Sequence, residues 1–133
     1  MRLAIIMSLG ALALAGCTGN EEFRQTRQAR AERDLAAALK GRVPGEPRDC
    51  ISNFGLSGPQ IIDSRTLLYR EGRRVWRNDL AADCPGMSPG DMLIVEVHGS
   101  QLCRNDRFRA VSPGTRIPGA FCLLGRFTPY ERK

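Results

Sequence analysis

Five cysteines (Cys17, Cys50, Cys84, Cys103 and Cys122) and a single histidine, His98, are the residues of this 133-residue chain best suited to chemistry. A zinc site needs reduced thiols or imidazoles in a recognisable spacing. The chain has no C-x-x-C pair, and Cys84 and Cys103 stand far apart. No metal ligand set is expected, and no cofactor. His98 lies beside Ser100 in "HGSQ", an i, i+2 pair that a strand would place on one face. No Gly-x-Ser-x-Gly elbow surrounds the serine, so the stretch is read as a turn. Asp63, Asp79, Asp83, Asp91, Glu96 and Asp106 are the candidate carboxylates for acid–base work. No two are spaced on one element in an apolar setting that would shift a pKa. Asp63 and Asp106 are read as turn-formers. No catalytic residue is assigned, and the expectation is a protein that is not an enzyme.

The stretch "YREGRRVWRN", Tyr69–Asn78, is more suggestive. It gathers Arg70, Arg73, Arg74 and Arg77 around one hairpin with Tyr69 and Trp76. Pairing Arg70 with Arg73 across the turn would set Arg77 on their face and Arg74 on the face of Tyr69 and Trp76. Arginines beside aromatic rings bind phosphates or stack. The alternative is an edge hairpin kept soluble by charge, with Trp76 in the core. The net charge of +6 comes almost wholly from arginine, Lys40 and Lys133 being the only lysines. A basic surface attracts phosphate-bearing lipids, anionic glycans or nucleic acid.

The N-terminus decides among those partners. Met1-Arg2 is a short positive segment, and Leu3–Ala15 is apolar apart from Ser8 and Gly10. The run is too short to span ~30 Å of hydrocarbon, which takes ~20 residues, and fits a secretory signal. Export makes nucleic acid a poor partner. Cleavage after Ala13-Leu14-Ala15 would fit ordinary processing but would leave five cysteines in an oxidising compartment, one of them unpaired. Leu14-Ala15-Gly16-Cys17 instead resembles the lipobox of bacterial lipoproteins. That resemblance implies cleavage before Cys17, three acyl chains on it, and a membrane anchor. Thr18, where an inner-membrane retention signal would carry Asp, implies the periplasmic face of the outer membrane. Domain boundaries follow: signal peptide 1–16, lipidated Cys17 and tether 17–49, folded domain 50–133.

The elements that must hold these residues fall into two kinds. Glu21–Lys40 is rich in helix formers, with Asn20 as N-cap and Lys40-Gly41 at the end. Such a helix reaches about 30 Å. It is a spacer, or its C-terminal half docks on the domain through Leu35 and Leu39. Arg24, Arg27, Arg30 and Arg33 spread over about half its circumference, a solvated face more than a line aimed at lipid headgroups. "GRVPGEPRD", Gly41–Asp49, reads as a hinge.

Beyond Cys50 short strand-like runs alternate with turn signals: Gln60–Asp63, Thr66–Tyr69, Arg74–Arg77, Met92–Val97, Leu102–Val111 and Ala120–Phe127. On Met92–Val97, Leu93, Val95 and Val97 share one face and Glu96 and His98 the other. Glu71-Gly72 is read as the hairpin turn, bulged or two-residue. The predicted fold class is mainly β, a small antiparallel meander sheet or partly open barrel of five or six strands. So small a core needs staples. Four cysteines allow three connectivities. The expected pairs are Cys50–Cys122, clamping the domain ends, and Cys84–Cys103, tying a Pro-Gly loop to the next hairpin.

The order and spacing of Cys84, Cys103 and Cys122, with the closing "LGRFTPY", resemble a group of small proteobacterial envelope proteins of no established activity. That group often has Gly-Asp after its third cysteine. Here Asn105-Asp106 stands there, and asparagine tolerates the positive φ such a turn requires. The resemblance implies an envelope location. The leading expectation is a lipid-anchored structural or protein-interaction module, with another envelope protein as partner. The alternative is a module that binds an anionic envelope polymer or headgroup through Arg70–Arg77.

Overall fold

Thr66, Leu67, Leu68 and Tyr69 are all buried. A strand that hides consecutive side chains is covered on both faces, and this one fact organises the molecule. The computed structural model describes residues 18–133. Segment 1–17, with the expected signal peptide, lipobox and Cys17, lies outside the described residues.

The elements run α1 (Thr18–Leu39), β1 (Arg42–Pro44), β2 (Cys50–Ser52), β3 (Leu56–Ile61), β4 (Thr66–Glu71), β5 (Arg74–Asp79), β6 (Met92–Val95), β7 (Gln101–Cys103), β8 (Arg107–Val111), β9 (Pro118–Leu123) and β10 (Arg126–Arg132). The fold is mainly β and antiparallel, as expected, and it is not a closed barrel. A five-stranded sheet has the order β1-β10-β5-β4-β3, a three-stranded sheet the order β6-β8-β9, and β2 pairs with β7.

One face of the five-stranded sheet packs on the two smaller sheets. Leu67, Tyr69, Trp76 and Phe127 meet Phe108, Ala110 and Cys122, with Ile51 and Leu102 closing one side. The opposite face carries Leu68, Val75 and Tyr130 and is covered by Ala31, Leu35, Ala38 and Leu39 of α1. Those four helix positions follow i, i+4, i+7, i+8, one apolar stripe. The docking alternative is therefore the one adopted by the C-terminal half of α1, while residues 19–30 are exposed.

The segment read as a hinge is built into the sheet. Arg42, Val43 and Pro44 pair with Arg132, Glu131 and Tyr130, and Arg48 bridges Phe127. Pro44 sits on this edge strand, where no N–H donor is needed. Two apolar runs taken as single strands are each split. Leu102–Val111 breaks at Arg104–Asp106, where Asn105 takes φ 69° as expected and Asp106 accepts the Cys103 N–H at 2.7 Å. Ala120–Phe127 breaks at Leu124-Gly125, where the chain leaves the three-stranded sheet for the five-stranded one.

The cysteine pairing differs from expectation. The bonds are Cys50–Cys103 and Cys84–Cys122, not Cys50–Cys122 and Cys84–Cys103. The β2–β7 ladder sets Cys50 directly opposite Cys103. Cys122 points into the core from β9, opposite Phe108, where it meets the buried Cys84 on the loop after β5. The clamp between the two ends, expected of a disulfide, is made by β1 on β10.

Candidate functional site

The β4–β5 hairpin turns on Gly72-Arg73, with Gly72 at φ 56°. Glycine first in a two-residue loop suits the right-handed strand twist. The turn sits one residue later than the sequence suggests, so Arg70 pairs with Val75 rather than Arg73. This moves the register by two residues and leaves every face unchanged. Arg74 joins Tyr69 and Trp76, and Arg70 and Arg77 share the other face.

The hairpin does not present its arginines and tryptophan as one open clamp. Trp76 is buried, and its Nε1–H donates to Glu71 Oε2 at 2.9 Å. The Arg74 guanidinium lies 5.1 Å from the Trp76 ring centroid and pairs with both Glu71 and Glu131. Arg77 donates to Asp79 Oδ1 at 2.9 Å. Burial alone would lower the Arg77 pKa, but the hydrogen bond and charge of Asp79 outweigh it and raise the pKa. Arg70 and Arg73 are exposed and have no acidic partner among the described residues.

What the fold adds is a groove beside the hairpin tip. It is a half-open depression of about 810 Å³ lined by Arg42, Arg73, Arg74, Arg132 and Lys133, with Glu131 as its acid. Arg42, Arg132 and Lys133 were missed by reading the sequence. They come from β1 and from the end of β10, which meet the hairpin only through sheet pairing.

The other sequence candidates are held locally. Asp63 accepts the Arg65 N–H and Asp91 the Ser88 N–H. Asp79 pairs with Arg77, Asp83 accepts from Ser64, Glu96 faces Arg107 at 3.9 Å, and Asp106 caps its own turn. His98 is exposed and bridges Gln101 around Gly99-Ser100, with Nδ1 3.8 Å from Asp106 Oδ1. Among the described residues no three His, Cys, Asp or Glu side chains gather to hold a metal.

A second surface was not foreseen. Leu93 and Val95 face the core, but β6 ends at Val95, so Val97 stays exposed. Met92 and Ile94 on β6, and Phe121 and Leu123 on β9, point outward and are each about half exposed or more. Ladder pairing aligns Ile94, Arg109 and Phe121 in one row. The guanidiniums of Arg107 and Arg109 lie 3.9 and 4.7 Å from the Phe121 ring centroid. Comparison with family models, curated proteins and solved structures gave no match.

Proposed function

We propose that the chain is a lipid-anchored cell-envelope protein, tethered through Cys17 at the periplasmic face of the outer membrane, whose folded part binds another envelope protein and catalyses nothing. The outer face of β6-β8-β9 carries this reading. Four large apolar side chains share a sheet face with two arginines stacked on Phe121, and exposed apolar groupings of this kind mark interaction sites. Arg107, 3.9 Å from Glu96, and Arg109, whose guanidinium donates to the Gly119 and Pro118 carbonyls, leave this face with positive charge that favours an apolar partner patch bordered by carboxylates. The anchor is supported by the lipobox resemblance and by the disulfides, which use the other four cysteines and leave Cys17 as the odd thiol.

The anchor is tested by mass spectrometry of the mature N-terminus. A triacylated Cys17 is expected, and an unmodified chain beginning at Gly16 overturns it. The docking face is tested by a photo-crosslinker at Ile94 in intact envelopes. The expected result is one protein adduct, abolished by Arg107→Glu with Arg109→Glu. Adducts that survive both changes refute the face.

A second reading, binding of an anionic envelope ligand, is favoured by the groove at Arg42, Arg73 and Arg132.

A further inference from the structure

Arg42 and Arg132 are direct cross-strand partners. The β5–β10 ladder ends at Val75 opposite Tyr130. Beyond it the chain turns at Gly72-Arg73, and Arg73 and Arg132 line the same groove. The Arg74–Glu131 ion pair holds the hairpin tip beside this end of β10. Arg42 on β1, Arg132 on β10 and Arg73 in the hairpin turn therefore line one groove across three adjacent segments.

Like charges directly opposite one another destabilise a ladder. Glu131, the acid in the groove lining, shares Arg74 with Glu71 and so offsets the repulsion only in part. The Arg42 guanidinium donates to the Arg73 carbonyl, which draws it across the groove instead of letting it splay away. Lys133 borders the same groove.

We propose that this groove binds a ligand carrying a diphosphate or phosphomonoester group, with Arg42, Arg132 and Arg73 as the anion-contacting residues. Guanidinium forks match phosphate oxygens in pairs. Three guanidiniums lining one groove offer more donors than one carboxylate can use and suit two linked phosphates. The groove is half open to solvent and lined almost wholly by charged side chains, which suits a small, strongly anionic group. The proposal rests on the anion-binding reading and is independent of the anchor. It moves the site from the Arg70–Arg77 hairpin as a whole to the hairpin tip and the two strands beyond it.

The test uses the full chain in neutral detergent at low salt, titrated calorimetrically with pyrophosphate. Binding is expected, weakened about tenfold or more by Arg42→Glu and by Arg73→Glu. Arg70→Glu, on the same hairpin but outside the groove, leaves it unchanged. Unfolding midpoints of the variants check that each folds. Mixed micelles containing phosphatidate then separate the sources. If they displace pyrophosphate, the groove accepts a lipid headgroup; if they do not, it takes a soluble phosphate, and the site stands either way. Pyrophosphate binding that all three variants retain overturns this site but leaves anion binding elsewhere. No binding of pyrophosphate and none of phosphatidate overturns both.

Discussion

The side chain of Asn78 forms a reciprocal pair with the backbone of Gly125. Nδ2 donates to the Gly125 carbonyl and Oδ1 accepts the Gly125 N–H, both at 2.8 Å. Asn78 is fully buried on β5. Gly125 is the corner at which the chain passes from β9 to β10. One amide thus completes the backbone of the turn that joins the two sheets. Asn78→Ala leaves a buried N–H and a buried C=O without partners and is expected to destabilise the fold by on the order of 3 kcal/mol. Urea unfolding measures this, and a loss under 1 kcal/mol would contradict the role given to the pair.

Gly125 allows no side chain. A Cβ there would stand 1.8 Å from the Asp79 carbonyl oxygen. Gly125→Ala must push β10 away from β5 and is expected to cost on the order of 3 kcal/mol. Gly55→Ala is a useful contrast, because a Cβ there meets nothing and only the positive φ opposes it. Its cost is expected near 1 kcal/mol, so the two thermal midpoints should separate clearly.

The disulfides close loops of sequence separation 53 and 38. The chain-entropy account assigns about 4 kcal/mol to each. Replacing Cys84 and Cys122 together by alanine is expected to lose 2–5 kcal/mol, about the loss seen when a small exported domain is deprived of one bridge. Peptide mapping without reductant should recover Cys50 linked to Cys103 and Cys84 linked to Cys122. Recovery of a Cys50–Cys122 peptide would refute the β2–β7 ladder.

Tyr69 is buried against Phe127 and Trp76, and its hydroxyl has no hydrogen-bond partner among the described residues. Burial raises its pKa above the ordinary phenol value of 10.0. The folded state then keeps its proton at a pH where the unfolded chain has lost it. The unfolded state binds fewer protons, so this contribution to stability is whole below pH 10 and falls as the pH rises beyond it. Tyr69→Phe removes the unpaired hydroxyl and is expected to raise stability by about 1 kcal/mol at neutral pH. It should also flatten the decline above pH 10. A variant with the same alkaline slope as the parent would show that Tyr69 is not its source.

The docking of α1 is tested by a matched pair. Ala31 is buried under the sheet and Ala37 is exposed on the same helix. Ala31→Glu places an unpaired carboxylate against Leu68 and Val75 and is expected to cost on the order of 2 kcal/mol. Ala37→Glu should change stability by less than about 0.5 kcal/mol. Equal effects would mean that α1 is a free spacer.

Local patterns were legible where neighbours in sequence are neighbours in space. Thr66–Tyr69 and Arg74–Arg77 read as strands because their β-branched and aromatic residues recur between turn signals, and the Gly72 turn brings them together. The faces of Arg74 and Arg77 followed from two-residue alternation, which a register error of two does not disturb. Arg42 could not be placed beside Arg73, because "GRVP" carries no strand signal of its own. It becomes a strand only because β10 offers it an edge. The corner at Gly125 was hidden for a similar reason: nothing in "CLLGRF" announces that Asp79 will lie against it.

Composition, alternation and turn residues by themselves determined a mainly β domain behind an N-terminal helix, with four cysteines available for bridges, since these depend on local propensity and side-chain parity. Only the tertiary structure decided which cysteines join, which half of α1 docks, and that Arg42, Arg132 and Arg73 line one groove. Each of these is a choice of partner between distant segments. Such choices are set by which ladders form and which faces bury together, and strands as short as β1, β2 and β7 acquire their identity only from the partner they meet.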